Sequence, residues 1–398
     1  MAPAPPSPLS PAIPPSPPSP ASDAGRNHGR PAQPAAPAPP SLLAPGVERD
    51  PYPLYRTLRE TLPLVRDEML GAWLISRYAE VRTVLDDTRS RPAGTGPGPA
   101  APALLEPPLR AAAERIAYVL ARRMARRREV DLVAEFTAWL PAAAAVAALG
   151  LPREDAARVR EWCRTGSARA GGIHPEFGGL LRPHVARRRD RPGADLLSVL
   201  CRAGADGQAP SDEAVTALAA ALLTGGGEAT ALALASFLAN LLDHPAQLDL
   251  VRARPELIPG AWAESLRRDP PTPVVLRRTS APVTMGGTAL PAGSVVACLI
   301  GSAGRDPFRF ADPDRYDIFR ADPAELADLA DPAHLAFGAE GRRCPAATVA
   351  GLVAGLVAEC GLRALLDAMP GLRWAPGFRP AAAGLMARAP RLLLVRPC

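Results

Sequence analysis

The stretch that decides the fold ends in a cysteine and a proline: His334-Leu335-Ala336-Phe337-Gly338-Ala339-Glu340-Gly341-Arg342-Arg343-Cys344-Pro345. An Ala/Val/Leu-rich segment follows and predicts a helix over residues 346–367. Because proline is favoured at the first helical position, Cys344 is expected at a helix amino terminus. Unpaired N–H groups and the helix macrodipole favour a thiolate there, and Arg342 and Arg343 act in the same direction. A thiolate held in this way suits an iron ligand or a nucleophile.

A nucleophilic cysteine enzyme needs a base near the thiol, and the sequence indicates none. The histidines lie in no context that resembles a catalytic triad. The other cysteines are scattered without paired short spacing, so neither a disulfide framework nor a zinc site is predicted. Cys163, Cys201 and Cys298 fit the interpretation of inert buried thiols.

The segment Phe337-Gly338-x-Glu340-x-Arg342-x-Cys344 resembles the cysteine-ligand loop of the cytochromes P450, whose pattern is Phe-Gly-x-Gly-x-His/Arg-x-Cys-x-Gly. The resemblance implies heme b as the cofactor, with Cys344 as the metal ligand through its thiolate. It also implies cofactor-binding roles for Phe337 and Gly338 in the loop and for Arg342 beside a heme propionate. Glu340 departs from the pattern, because it stands where the family has its second glycine.

Further segments follow in the order that the family requires. Glu264-Ser265-Leu266-Arg267 resembles the family's Glu-x-x-Arg and lies 80 residues before Cys344. Residues three apart share one face of a helix, so Glu264 and Arg267 can pair directly. The resemblance gives this pair a structural role beneath the heme and no chemistry. Arg278 resembles the second arginine that binds a propionate.

A long apolar segment contains Gly225-Gly226-Gly227-Glu228-Ala229-Thr230 and resembles the family's distal helix, Ala/Gly-Gly-x-Asp/Glu-Thr. Glycines thin a helix locally and let a ligand approach. The resemblance implies catalytic roles for Glu228 and Thr230. However, Ala229 occupies the place of the family's alcohol, and Thr230 lies about 100° further around the helix. Thr230 should therefore replace that alcohol only if the helix contains a local bulge.

A second departure lies between Arg91 and Leu104. The family has a substrate-covering loop and a heme-gripping helix there, whereas this chain has a Pro/Gly/Ala-rich connector. Residues 164–176 are also short for the helices that cover the family's substrate pocket. The resemblance therefore predicts a trimmed side of the molecule, which a protein partner could complete.

The domain organisation follows from composition and periodicity. The first 45 residues hold 16 prolines without apolar periodicity, which predicts a disordered tail over 1–45 and a folded domain over 46–398. The fold class is mainly α with a small β part, and the resemblance implies the cytochrome P450 fold. The predicted helices are 50–59, 78–85, 104–128, 131–149, 153–163, 177–189, 194–202, 211–242 and 246–252, and the predicted strands are 64–66, 72–76, 274–277, 282–285, 294–299 and 391–395.

Charge and hydropathy exclude other classes. The net charge is +6, and the arginine runs lack the interleaved aromatic residues of a nucleic-acid surface. The apolar run 217–242 carries Glu228 in its middle, where a charge is costly in lipid, so we expect a buried helix and no membrane association. No secretory signal pattern is found. A cytoplasmic protein is expected.

Two functions from different classes remain open. The first is a heme-thiolate oxidoreductase, a monooxygenase or oxidase, that acts on a small organic molecule in secondary metabolism. Its electrons would come from a ferredoxin and a ferredoxin reductase, because the chain has no flavin or nucleotide domain. The alternative is a degenerate relative without catalysis that binds or activates a partner enzyme, such as a glycosyltransferase. Cys344 favours the enzyme, whereas Ala229 and Glu340 favour the degenerate relative.

Overall fold

The fold is given by a computed structural model. It describes residues 40–86, 101–166, 176–202, 209–225, 227–320, 333–338 and 347–397. Most of the predicted tail and the 91–100 part of the predicted trimmed connector lie outside these ranges. So do Arg342 and Cys344.

Helices make up most of the described chain, as the sequence predicts. They are α1 (Tyr52–Thr61), α2 (Tyr78–Asp86), α3 (Ala101–Met124), α4 (Leu140–Ala148), α5 (Asp155–Gly166), α6 (Glu176–Asp190), α7 (Leu196–Arg202), α8 (Asp212–Gly225), α9 (Glu228–Asp243), α10 (Pro245–Ala253), α11 (Ile258–Arg268), α12 (Ile300–Ala303) and α13 (Ala347–Ala368). A π-helix over Val133–Thr137 precedes α4, and a 3-10 turn over Pro255–Leu257 precedes α11.

The described strands are short, each two to four residues long. They are β1 (Leu64–Asp67), β2 (Ala72–Ile75), β3 (Val130–Asp131), β4 (Val275–Arg278), β5 (Val283–Met285), β6 (Thr288–Leu290), β7 (Val295–Cys298), β8 (Arg373–Trp374), β9 (Ala382–Ala383), β10 (Ala389–Pro390) and β11 (Leu394–Arg396). The largest sheet has the order β1-β2-β7-β4, in which β2 and β7 are parallel. Its remaining pairs are antiparallel. The predicted class, mainly α with a small β part, is confirmed.

The apolar side chains form one large core among the helices and two smaller cores around the sheet. The segment 333–338 joins two of them. Leu335 belongs to a sheet core, whereas Ala336 and Phe337 pack against the helical core. The turn that leads to the cysteine loop is therefore anchored on both sides.

One predicted helix is interrupted. The sequence predicts a continuous helix over 211–242, but α8 ends at Gly225 and α9 begins at Glu228. The Gly227 N–H donates to Thr224 O at 2.9 Å, whereas a regular helix would direct it to Leu223 O. The prediction of one unbroken helix was wrong, because the glycines allow this turn and weaken the helix locally.

Two residues that the sequence assigns to the tail make buried contacts. Ser41 and Leu42 lie against the last residue of strand β1. Ser41 Oγ donates to both carboxylate oxygens of Asp67 at 2.9 and 3.1 Å, and Leu42 N–H donates to Asp67 at 2.8 Å. Leu42 is 3% exposed, so its burial and these hydrogen bonds order residues that composition alone assigns to the tail.

Asp212–Asp243 is the one part of the described chain that is apolar and long enough to cross a membrane. Half of its most apolar stretch is buried inside the domain, and the break at Gly227 divides the helix. These features are those of a core helix.

Candidate functional site

The turn before the cysteine loop is held by a glycine in a left-handed conformation. Gly338 has φ +86°, and its N–H donates to Leu335 O at 2.9 Å. A side chain at this position would strain the backbone. The rings of His334 and Phe337 lie 5.9 Å apart between their centroids, and His334 is buried. The described chain resumes at Ala347, in helix α13, which is three residues after Cys344 in the sequence.

Glu264 and Arg267 pair in the interior, on the last turns of α11. Arg267 Nε and Nη2 donate to the two carboxylate oxygens of Glu264 at 2.6 and 2.8 Å. The Glu264 side chain is 1% exposed and the Arg267 side chain is 4% exposed. Two parallel hydrogen bonds between charged groups fix both the distance and the plane of the pair.

The pair organises the chain that leads towards the cysteine region. Arg320 Nε donates to Glu264 Oε1 at 3.0 Å, and the backbone N–H of Asp317 donates to the same oxygen at 3.0 Å. Arg267 in turn donates to the carbonyl oxygens of Gly304 and, at 2.9 Å, Pro313. The helix α11 is therefore tied to residues 304–320 by buried polar contacts.

The two predicted catalytic residues start the second half of the broken helix. Glu228 is half-buried, Ala229 is exposed, and Thr230 is 5% exposed. Ala229 and Thr230 thus lie on different sides of α9, although the helix is interrupted two residues earlier. The break does not turn Thr230 to the side on which Ala229 lies.

Arg278 ends strand β4 at the edge of the largest sheet. Its side chain is exposed, and Nη1 donates to Gly293 O at 2.8 Å. Leu276, two residues earlier, lies on the same face of the strand and is 43% exposed. This edge therefore presents a guanidinium beside an apolar side chain.

A residue that sequence analysis interpreted as an inert thiol lies at the helix break. Cys163, on α5, donates from Sγ to Leu223 O at 3.4 Å. Burial, followed by the nearby charge of Glu228, raises the pKa of the Cys163 thiol to about 12. The thiol is therefore protonated at neutral pH and is a hydrogen-bond donor. Nothing in the sequence around residue 163 indicates this contact.

Comparisons with known proteins agree with this arrangement. The family model for cytochrome P450 matches residues 256–363. Pulcherriminic acid synthase of Bacillus subtilis (strain 168) is 30% identical over 89% of this chain and 97% of its own length. Cytochrome P450 monooxygenase PikC of Streptomyces venezuelae is 32% identical over 81% of this chain and 85% of its own.

Solved structures show the same architecture. CYP109E1 from Bacillus megaterium, in complex with testosterone, superposes with a TM-score of 0.72 at 25% identity, covering 87% of this chain and 99% of its own. CYP109Q5 from Chondromyces apiculatus gives a TM-score of 0.70 at 28% identity, over 89% of this chain and 97% of its own. The fold and these similarities thus define a heme-thiolate protein. The chain belongs to the cytochrome P450 superfamily, in its bacterial form.

Heme with a cysteine thiolate as the iron ligand is the cofactor of this family. The residues of this chain fit such a group in their chemistry. The sequence supplies a cysteine six residues after the Gly338 turn, and a thiolate suits iron. Arg278 offers an exposed guanidinium for a carboxylate, beside the apolar Leu276. Ala229 is a small exposed residue on an otherwise mostly buried helix.

Proposed function

We propose that this protein is a heme-thiolate monooxygenase that oxidises a small organic molecule in secondary metabolism, with Cys344 as the iron ligand. The observation that carries the proposal is the Phe337-Gly338 turn, fixed between two cores six residues before Cys344. Such anchoring would hold a thiolate ligand at a constant position. Similarity to a named P450 monooxygenase over 81% of this chain supports the same activity.

The proposed roles rest on the positions of the described residues and, for Arg342, on the sequence alone. The heme, when bound, supplies oxidation chemistry at iron, which a thiolate ligand favours by donating electron density. Arg278 and Arg342 would bind its propionates through guanidinium groups, which suit carboxylates. Glu264 and Arg267 would hold the surrounding chain and take no part in the reaction. Glu228 would supply a carboxylate for proton delivery at the start of α9.

The substrate class follows from the relatives. Besides PikC, they include 6-deoxyerythronolide B hydroxylase of Saccharopolyspora erythraea and cyclomarin C epoxidase CymV of Salinispora arenicola. Their names describe hydroxylation or epoxidation of natural products. We infer an analogous small molecule here, electrons from a ferredoxin and its reductase, and a cytoplasmic location.

The decisive experiment is the absorption spectrum of the purified, reduced protein exposed to carbon monoxide. A thiolate-ligated heme gives a strongly red-shifted Soret band, and we expect this band in the wild type. Cys344→Ser should abolish it, whereas Cys201→Ser should retain it because that buried cysteine lies on α7. Equal spectra in both variants would contradict the assignment of Cys344.

The same experiment distinguishes the monooxygenase from the alternative function, a partner-binding protein without catalysis. A degenerate relative that only binds a partner enzyme has no need of heme. A purified protein that contains no heme and takes up none when heme is added would overturn the monooxygenase proposal. The partner-binding hypothesis would then stand in its place.

A further inference from the structure

The break between α8 and α9 creates a backbone acceptor that a regular helix would not leave open. In an uninterrupted helix the Gly227 N–H would bind Leu223 O. Here that N–H bonds to Thr224 O at 2.9 Å instead. Leu223 is buried, so its carbonyl oxygen, which does not receive the Gly227 N–H, is stabilised by another donor within reach.

The donor comes from another helix. Cys163 Sγ lies 3.4 Å from Leu223 O, and α5 contacts both α8 and α9. The thiol stays protonated well above neutral pH, because burial and then the Glu228 charge raise its pKa. A thiol is a weak donor, but leaving a buried carbonyl without any donor is costly, which favours any conformation that satisfies it.

Cys163 also occupies the space beside Gly227. A Cβ built on Gly227 would lie 2.9 Å from both Cys163 Sγ and Cys163 Cβ, and 2.7 Å from Thr224 O. The Cys163 side chain therefore fills the space that Gly227 leaves free because it has no side chain. Movement of Gly227 towards α5 is blocked while the sulfur is present.

We propose that Cys163 is a positioning residue: its hydrogen bond to Leu223 O and its contact with Gly227 hold the helix break open and thereby set the position of Glu228. Glu228 is the first residue of α9, so its location depends directly on how the break is formed. The functional consequence rests on the proposed monooxygenase activity. The structural claim does not.

The first test measures amide hydrogen exchange by mass spectrometry on the purified full-length protein, in peptides that cover residues 220–232. Without the thiol, Leu223 O is satisfied by regaining the Gly227 N–H, and the two helices join. Joining removes two helix ends, whose backbone groups lack partners within a helix. Cys163→Ala should therefore slow exchange in these peptides about tenfold.

Two variants make this result specific. Cys163→Ser retains a donor and should exchange like the wild type. Cys201→Ala makes the same substitution at another buried cysteine, away from the break, and should leave these peptides unchanged. Unchanged or faster exchange in Cys163→Ala would overturn the proposal, and so would a Cys163→Ser protein that behaves like Cys163→Ala.

A second readout uses imidazole as a probe, in protein that has passed the carbon monoxide test. Joining the helices should crowd the distal side, so Cys163→Ala should bind imidazole about tenfold more weakly by spectral titration. Cys163→Ser should restore wild-type affinity. If exchange slows in Cys163→Ala but no heme is bound, the proposed function fails and the role of Cys163 in the break stands.

Discussion

The carboxylate of Glu264 accepts two hydrogen bonds from the guanidinium of Arg267, at 2.6 and 2.8 Å, in a fully buried position. It also accepts from Arg320 and from the backbone of Asp317. Removing its charge would leave buried cations without their counter-ion, which is far more costly than losing a surface pair.

Glu264→Gln should therefore lower the free energy of unfolding by about 3–5 kcal/mol, measured by urea denaturation. Asp249→Asn is the matched control, because Arg252 and Asp249 also lie three apart on one helix at 2.7 Å but the aspartate side chain is 68% exposed. That change should cost less than about 1 kcal/mol. Equal losses in the two variants would show that burial does not decide the strength of the Glu264 pair.

Asp269 predicts a dependence of stability on pH. Its side chain is 24% exposed and contacts Arg305 at 2.7 Å and Tyr52 Oη at 2.9 Å. Burial by itself would raise the pKa of Asp269, but Arg305 and Arg268 more than offset it and hold the pKa below its ordinary value. The folded state therefore binds this proton less readily than the unfolded state.

The stability that Asp269 contributes is thus fully present above the ordinary aspartate pKa, roughly 3.9, and is lost as pH falls through the lower folded value. At pH 6, urea denaturation should give the wild type a clearly higher free energy of unfolding than Asp269→Asn. The difference between the two should narrow as the pH falls below about 4. A difference that stays constant between these pH values would contradict the assigned direction.

Gly227 and Gly355 give opposite predictions for the same substitution. A Cβ at Gly227 would approach Thr224 O to 2.7 Å, whereas one at Gly355, inside α13, would meet nothing within 4 Å. Gly227→Ala should lower the unfolding free energy by about 1–3 kcal/mol, because atoms at the break must shift. Gly355→Ala should raise it by up to about 1 kcal/mol through helix propensity. Thermal or urea denaturation of the two variants, compared with the wild type, measures both.

How far sequence predicts this molecule depends on how local each contact is. Glu264 and Arg267 are three residues apart on one helix, so their pairing could be predicted from spacing. The bond from Cys163 to Leu223 joins residues 60 positions apart, and no local pattern indicates it. Ser41 and Asp67 are the same kind of case: 26 residues separate them, and the proline-rich composition around Ser41 predicts disorder instead.

The helix break shows how a local sequence pattern can mislead and how a distant contact escapes it. The glycine run at 225–227 indicates a weak helix, yet periodicity predicts a continuous one over 211–242 because the flanking apolar residues dominate the pattern. Where the freed carbonyl finds its donor depends on α5, which the local sequence does not contain. The positions of Arg342 and Cys344 stay predictions, since both lie outside the described residues.

The last prediction concerns the alcohol that the family places where this chain has Ala229. Ala229 is exposed and Thr230 is 5% exposed, so a hydroxyl at residue 230 does not lie on the side that residue 229 occupies. Ala229→Thr should therefore supply the alcohol at the family's position, and the share of electrons lost as hydrogen peroxide should fall about threefold or more. Thr230→Ala should leave that share within a factor of two, because its hydroxyl is on the other side.

Peroxide yield per NAD(P)H consumed, with ferredoxin and reductase added, measures both. If Thr230→Ala raised the peroxide yield severalfold and Ala229→Thr had no effect, Thr230 would be the residue that delivers protons, and α9 would have to rotate during the reaction to bring it into place.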